Sequence, residues 1–289
     1  MKPSISSLII SFNLIAGSVA FTQNIQQDST GLPGDNFSLE GALELFKKSE
    51  SPEAFEKMLN AEDSKVNNLD LNGDGEIDYI KVIDKNEGDA HAFVLQAVIS
   101  ENENQDIAVI EVEKNQDGDA ALQIVGDEDV YGKQTIVEPQ EEVKTHGGTQ
   151  TKKVVVNVYT WPIIRYVYGP GYTVWISPWS WRVRPVWWHP WRPVRYHVFY
   201  PYQAPYRHRY VVVHTHRTTY AHRIYKPTRS TSVIVKTRHK EPVNHYRTRT
   251  TRTTTVTTPD GKATRKTTTV RTKDGKKAKT TKRAVRSRN

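Results

Sequence analysis

"HAFVLQAVISENENQDIAVIEVEK", residues 91–114, contains two apolar runs, 91–99 and 106–114, divided by a short polar segment. Both are rich in Val, Ile, Ala and Phe, residue types that suit a pleated, half-buried surface. A connection this short joins antiparallel neighbours, since a parallel crossover needs a dozen residues or more. Similar runs flank the pair: "YIKVI" (79–83) before it and "AALQIV" (120–125) after it, the latter across Asp117-Gly118, a hairpin signal. The spacing predicts an antiparallel meander.

Two short helices precede it. Ser38 is placed to cap the first, whose Leu39, Ala42, Leu43 and Phe46 share one face at i, i+3, i+4 and i+7. Ser51 followed by Pro52 supplies a cap and a first-turn proline for the second, with Phe55, Met58 and Leu59 as its apolar stripe. The fold class that follows is α+β, with two short helices packed on one face of an antiparallel β-meander over residues 37–132. On the other face Glu111 and Glu113 are expected to meet water.

Charge divides the chain. Residues 1–150 carry 10 basic and 29 acidic side chains, while residues 151–289 carry 31 and 3, within 289 residues that include no cysteine. Disulfides and thiolate metal sites are therefore excluded. The first 20 residues read as an export signal: Lys2, the apolar "SLIISFNLIAG", and Ser18-Val19-Ala20 as a cleavage site. With no cysteine after it, a lipid anchor is not expected, and the run is too short to span a bilayer. Residues 21–36 read as a linker. The expected location is outside the cytoplasm: periplasm, outer-membrane surface or extracellular space, with no transmembrane span in the mature chain.

"LDLNGDGEIDYIKV", residues 69–82, carries oxygen ligands at the alternate positions of a calcium loop. Asp70, Asn72, Asp74, the Glu76 carbonyl and Asp78 fit the first nine positions of an EF-hand. Lys81 fills the twelfth, where that motif needs a bidentate carboxylate, and the following "YIKVI" reads as a strand rather than a helix. The segment resembles the shorter Asp-x-Asn-x-Asp-Gly-x-x-Asp loops of integrin-type propeller repeats, in which the ninth-position Asp, here Asp78, completes the cage. With only hard oxygen donors, the ion expected is calcium. The alternative is a solvated acidic turn. "SLEGALELFKKS", "SPEAFEKMLN", "VNNLDLNGDGEIDYIKVID", "QDIAVIEVEK" and "LQIVGDEDVYG", with "WPIIRYVYGPGY" and "SPWSW" beyond them, together resemble a family of exported Bacteroidota proteins labelled EF-hand-like. The resemblance implies export and suggests calcium, and brings no activity with it.

After a linker predicted at 133–152, the composition changes. All seven Trp lie between Trp161 and Trp191. "YVYGPGYTVW" suggests a hairpin with paired aromatics, and the proline-rich stretch after it suits neither helix nor inner strand. Residues 153–225 form a Trp/Tyr/Arg/His-rich region, and 226–289 a basic Thr/Lys/Arg tail in which "TTTVTTPDGKAT" and "TTTVRTKDGKKA" repeat at a spacing of 14 around Asp-Gly turns. This half is expected to be largely low-order. Arg182, Arg184, Arg192 and Arg195, with Lys276, Lys277, Lys282 and Arg283 of the tail, are the candidate contacts to acidic polymers such as lipopolysaccharide, acidic glycans or extracellular DNA. Peripheral contact with a membrane surface is a further possibility. The alternative is a collapsed aromatic segment covering the acidic domain.

His214 and His216, two apart, would share a face of a strand. With His208 and His222 nearby they could hold zinc, copper or nickel, the alternative being Tyr/His packing. No nucleophile elbow, His-Glu-x-x-His pair or phosphate loop occurs, and no enzymatic activity is expected. The functional expectation is an exported, non-enzymatic calcium-binding protein whose basic half associates with acidic envelope or extracellular polymers. The runner-up is a structural envelope protein with its basic half folded on the acidic domain.

Overall fold

A computed structural model describes residues 29–144, 151–248, 250–258, 261–271 and 277–287; for 142–144, 151–155, 248 and everything beyond 249 the backbone alone is described. The export signal, linker residues 21–28 and Lys276 lie outside the described residues.

Helix α1 (Leu39–Lys48) starts where Ser38 Oγ accepts the Gly41 N–H at 3.0 Å, and α2 (Pro52–Leu59) where Ser51 Oγ accepts that of Ala54 at 3.1 Å. Each bond satisfies one donor that a helix N-terminus would otherwise leave orphaned. The helices bury their apolar stripes against β1 (Ile80–Glu87), β2 (Ala90–Val98), β3 (Asn104–Lys114) and β4 (Ala120–Gly126). At the centre Phe46 meets Phe55 edge-on, and Phe93 at a tilt, both with ring centroids 5.1 Å apart.

All neighbouring strands are antiparallel, in the order β1-β2-β3-β4-β5-β6. Leu95 pairs with Ala108 but Gln96 with Asp106, so Ile107 forms a bulge in β3. After the short α3 (Glu128–Tyr131), strands β5 (Thr135–Lys144) and β6 (Thr151–Val155) run through the segment expected to be a linker. Ile136 and Val137 are buried, and β5 pairs both with β4 and with β7 (Tyr210–Val213), so the sheet draws strands from both halves.

The basic half differs most from expectation. Residues 156–247 are wrapped onto the acidic domain through α4 (Pro162–Val167), α5 (Tyr196–Phe199), β7, α6 (Thr219–Tyr225), α7 (Val233–Arg238) and α8 (Lys240–Thr248), joined by irregular proline-rich stretches. The hairpin suggested at 166–175 is not formed. Pro162 opens a helix instead, and Ile163, Ile164 and Val167 on one of its faces enter the main core, although Tyr166 and Tyr172 do meet edge-on at 5.6 Å. On the second face of the sheet, Ala92, Val94, Val109 and Val125 pack beneath Tyr225 of α6, which is why every residue of β2 is buried. Glu111 is correspondingly buried, and Glu113 half-buried, where a solvated face was expected. A third cluster joins Tyr79 and Val98 to Trp188.

Beyond α8, β8 (Thr250–Thr258), β9 (Gly261–Arg271) and β10 (Lys277–Ser287) form a separate antiparallel meander. The two copies of the repeat, 253–264 and 267–278, run into the paired strands β8 and β9 and then β9 and β10, and Asp260 and Asp274-Gly275 of the expected Asp-Gly turns lie outside the described residues. No helix among the described residues is long and apolar enough to cross a membrane.

Candidate functional site

The 70–78 loop is held by its own oxygens. Asp70 accepts the N–H groups of Gly73 and Gly75 at 2.6 and 3.0 Å, Asn72 Oδ1 that of Asp74, Asp74 Oδ1 that of Glu76, and Asp78 Oδ2 that of Leu71 at 2.6 Å. Gly73 and Gly75 adopt φ of 76° and 88°, a region that disfavours a side chain. The Asp78 N–H closes the base of the loop on the Leu69 carbonyl at 2.8 Å. Burial pushes the Asp78 carboxyl up to about 8 against the Leu71 N–H, with Asp70 and Asp74 adding to the rise and Arg184 opposing it. Lys81 lies in β1 opposite Gln96, so strand replaces helix at the twelfth position of the EF-hand pattern.

Hard oxygen donors at alternate positions, two of them carboxylates beside a buried third, fit a calcium-class ion by donor chemistry. The basic half packs against the base of the loop and leaves its 74–76 tip exposed. Ile77 donates to the Trp191 carbonyl at 2.9 Å, and Asn68 exchanges two bonds of 2.8 Å with the Val194 backbone. His239 Nε2 lies 3.2 Å from the Leu71 carbonyl, and the Arg238 guanidinium packs so closely on Gly73 that a Cβ there would stand 1.8 Å from its Cζ.

The candidate polymer-binding arginines are not equivalent. Arg182 pairs with Glu101 at 2.6 Å, but both ends are exposed. Arg184 lies 5.3–5.7 Å from the ring centres of Tyr79, Trp181 and Trp188, and its buried Nη1 has no hydrogen-bond partner among the described residues. Arg192 and Arg195 are exposed. A groove of about 530 Å³ is lined by Lys57, Lys65, Trp187, Trp188, His189 and Trp191 together with acidic Glu62 and Asp63, and neither arginine is part of its lining. Lys277, Lys282 and Arg283 lie in β10.

A set of buried carboxylates that take hydrogen bonds from the other half was not anticipated from the sequence. Glu56 accepts from Tyr79 OH, the Val82 N–H, Trp175 Nε1 and Ser177 Oγ. Glu44 accepts from Arg209 and Tyr210, Asp106 from Tyr225 OH and the Ser230 N–H, Asp84 from Tyr172 OH, and Glu138 from Arg217. Buried Asp127 and half-buried Asp129 share Arg229. Acceptors on one half and donors on the other are visible in the charge split, but their pairing is not.

The histidines also differ from expectation. His208 and His214 are exposed, and the partner of His216 is His222, with ring centres 4.4 Å apart over Glu111. Comparisons with protein-family models, with curated proteins and with solved structures find no match for this chain.

Proposed function

We propose that this is an exported, non-enzymatic structural protein of the cell envelope, in which the basic half is fastened onto its own acidic domain and a calcium ion at the 70–78 loop makes a further fastening. The observation that carries this reading is the chemistry across the seam. Buried carboxylates of the acidic domain find their donors among Trp175, Ser177, Arg209, Tyr210, Arg217, Tyr225 and Arg229 of the basic half. A buried carboxylate without such partners is costly, so each half supplies what the other lacks. For the calcium, the support is the donor set and the paired glycines. For export, it is the N-terminal sequence and the family resemblance.

The full-length chain tests the fastening directly, because every Trp lies in the basic half while the acidic domain holds most of the main sheet. Urea unfolding followed by Trp fluorescence and by far-ultraviolet circular dichroism is expected to give one coincident transition. Separate midpoints would sink the reading.

A second reading, association with acidic envelope or extracellular polymers, is favoured by exposed Arg192 and Arg195, which follow Trp191 of the Trp-lined groove in the chain. Aromatic faces stack on sugars or bases while guanidinium groups meet phosphate or carboxylate. Binding of the full chain to heparin or DNA, weakening steeply as salt rises, is the expected sign. A salt-independent affinity, or none, would count against it.

A further inference from the structure

We infer that Glu111, His216 and His222 form a binding site for a divalent transition-metal ion of the zinc, copper and nickel class, separate from the calcium loop, and that the ion staples the segment before α6 and α6 itself to strand β3. The three side chains are the only group of three acidic or imidazole residues, among those described, whose ligand atoms all lie within 4.8 Å of one another. They come from two distant parts of the chain. Glu111 stands in β3, His216 in the segment before α6, and His222 within α6.

The three ligand atoms are gathered at one point, as hydrogen-bonded pairs. His216 Nε2 lies 2.5 Å from Glu111 Oε2, and His222 Nδ1 lies 2.7 Å from Glu111 Oε1. Ligands bonded at ~2.0–2.1 Å to one tetrahedral ion stand about 3.3 Å apart, so each imidazole would open from its own carboxylate oxygen by less than about 1 Å to admit an ion, with all three ligand atoms already inside 4.8 Å of one another. Two imidazole nitrogens select zinc, copper or nickel over calcium or magnesium, which take oxygen. The carboxylate is oriented from behind. Thr218 Oγ1 donates to Glu111 Oε2 at 2.7 Å and sits 3.3 Å from Gln123 Oε1, the kind of outer contact that fixes a metal ligand. Access is one-sided. The Glu111 side chain is 0% exposed, whereas those of His216 and His222 are 20% and 16% exposed, so an ion enters past the imidazoles.

Without an ion, the same atoms make two imidazole–carboxylate hydrogen bonds, and the experiment must separate these cases. Full-length protein freed of metal by chelation is loaded with one equivalent of Cu²⁺ and examined by electron paramagnetic resonance, with Zn²⁺ affinity measured by competition. The expected spectrum shows coupling to two imidazole nitrogens, falling to one in His222→Gln and in His216→Gln. Zn²⁺ affinity is expected to fall by about 10–100-fold in Glu111→Gln, as for loss of a ligand or its support. His208→Gln/His214→Gln, changed only at exposed positions, keeps both signals and the fold, and Asp74→Ala keeps them too. The inference is overturned if the two-nitrogen spectrum survives in both His216→Gln and His222→Gln. It is also overturned if the spectrum is lost in the His208/His214 double variant, or if the wild-type chain binds neither ion.

Discussion

The indole Nε1 of Trp175 donates to Glu56 Oε2 at 3.2 Å, although the two residues stand 119 positions apart. The same oxygen accepts the Val82 N–H at 2.9 Å, and Oε1 accepts the hydroxyls of Tyr79 and Ser177, both at 2.7 Å. Glu56 thus ties α2, β1 and the basic half at one point, and burial pushes its carboxyl above the usual range despite these four donors.

The substitution pair Glu56→Ala and Glu56→Gln separates loss of an acceptor from loss of charge. Alanine leaves four buried donors unpaired and is expected to cost about 3–5 kcal/mol, the range for a broken buried network. Glutamine can keep its carbonyl on Val82 and Trp175, whose N–H groups only donate, while the Tyr79 and Ser177 hydroxyls reorient to accept from its amide. Its cost is expected to be about 1–2 kcal/mol. Urea unfolding of both variants checks the order. Equal losses would mean that Glu56 matters for its charge alone.

Arg229 should show the opposite sensitivity, to geometry rather than to acceptor count. It contacts Asp127 through Nε and, at 2.8 Å, through Nη2, and reaches Asp129 at 2.7 Å. The paired guanidinium stays charged, held above its usual range by the hydrogen bond and charge of Asp127. Asp127 is buried and also caps α3 through the Asp129 N–H. Arg229→Ala strands that carboxylate and is expected to cost about 3–5 kcal/mol. Arg229→Lys keeps a charge but loses the planar fork, with a loss expected near half of that. A lysine variant as unstable as the alanine variant would show that the fork is the whole effect.

The acidic domain was legible because its signals are local. Ser38 and Ser51 cap the helices they were expected to cap, and the four apolar runs are β1 to β4. The basic half was legible only as an alternative, an aromatic segment collapsed on the acidic domain, because its order does not come from a core of its own. Tyr225 is buried only because Ala92, Val94, Val109 and Val125 present a second apolar face. The alternation of Glu111 and Glu113 signals a strand equally well whether water or α6 lies above it. At the 70–78 loop the order of the oxygen donors is readable from the residues, but the placing of Arg238 and His239 against the loop is not. For the histidines, the register argument paired His214 with His216, whereas β7 ends at Val213 and of these two only His216 turns inward.

Calcium should stabilise the full chain. At ~10 mM calcium and the affinity usual for extracellular modules, about 10⁻⁴ to 10⁻³ M, linkage gives roughly 1.4–2.7 kcal/mol. Asp74 is exposed, and its substitution by Ala should remove that increment while changing the calcium-free stability little. Thermal unfolding with calcium and with chelator tests this. A melting temperature that ignores both chelator and Asp74→Ala would show the loop to be a polar turn.

Acid should loosen the seam at Glu44. Its carboxylate lies against Lys48 at 3.2 Å, Arg209 at 2.9 Å and Tyr210 OH at 3.0 Å. Burial alone would push its pKa up, but the hydrogen bonds of Lys48 and Tyr210 and the charges of Lys48 and Arg209 outweigh it and hold the carboxyl below its ordinary value of 4.5. The folded chain therefore binds this proton less tightly than the unfolded chain. The contribution is fully present above the ordinary value and is lost as pH falls through the lowered one. At pH 7, Glu44→Gln is expected to cost about 1.5 kcal/mol, the lower end for hydrogen bonds to a charged group, because Lys48 and Arg209 are more than half exposed and screened. Between pH 5 and pH 3 the difference between wild type and Glu44→Gln should shrink, since the wild-type carboxyl takes up its proton while the amide does not titrate. Buried Glu56 and Asp106, raised by desolvation, act with the opposite sign in this range, so total stability does not report on Glu44 alone. The difference between the two proteins does, because those groups are common to both. A wild-type advantage that stays constant from pH 7 to pH 3 would mean that the Glu44 contacts are packing, and that the charge across this part of the seam contributes nothing.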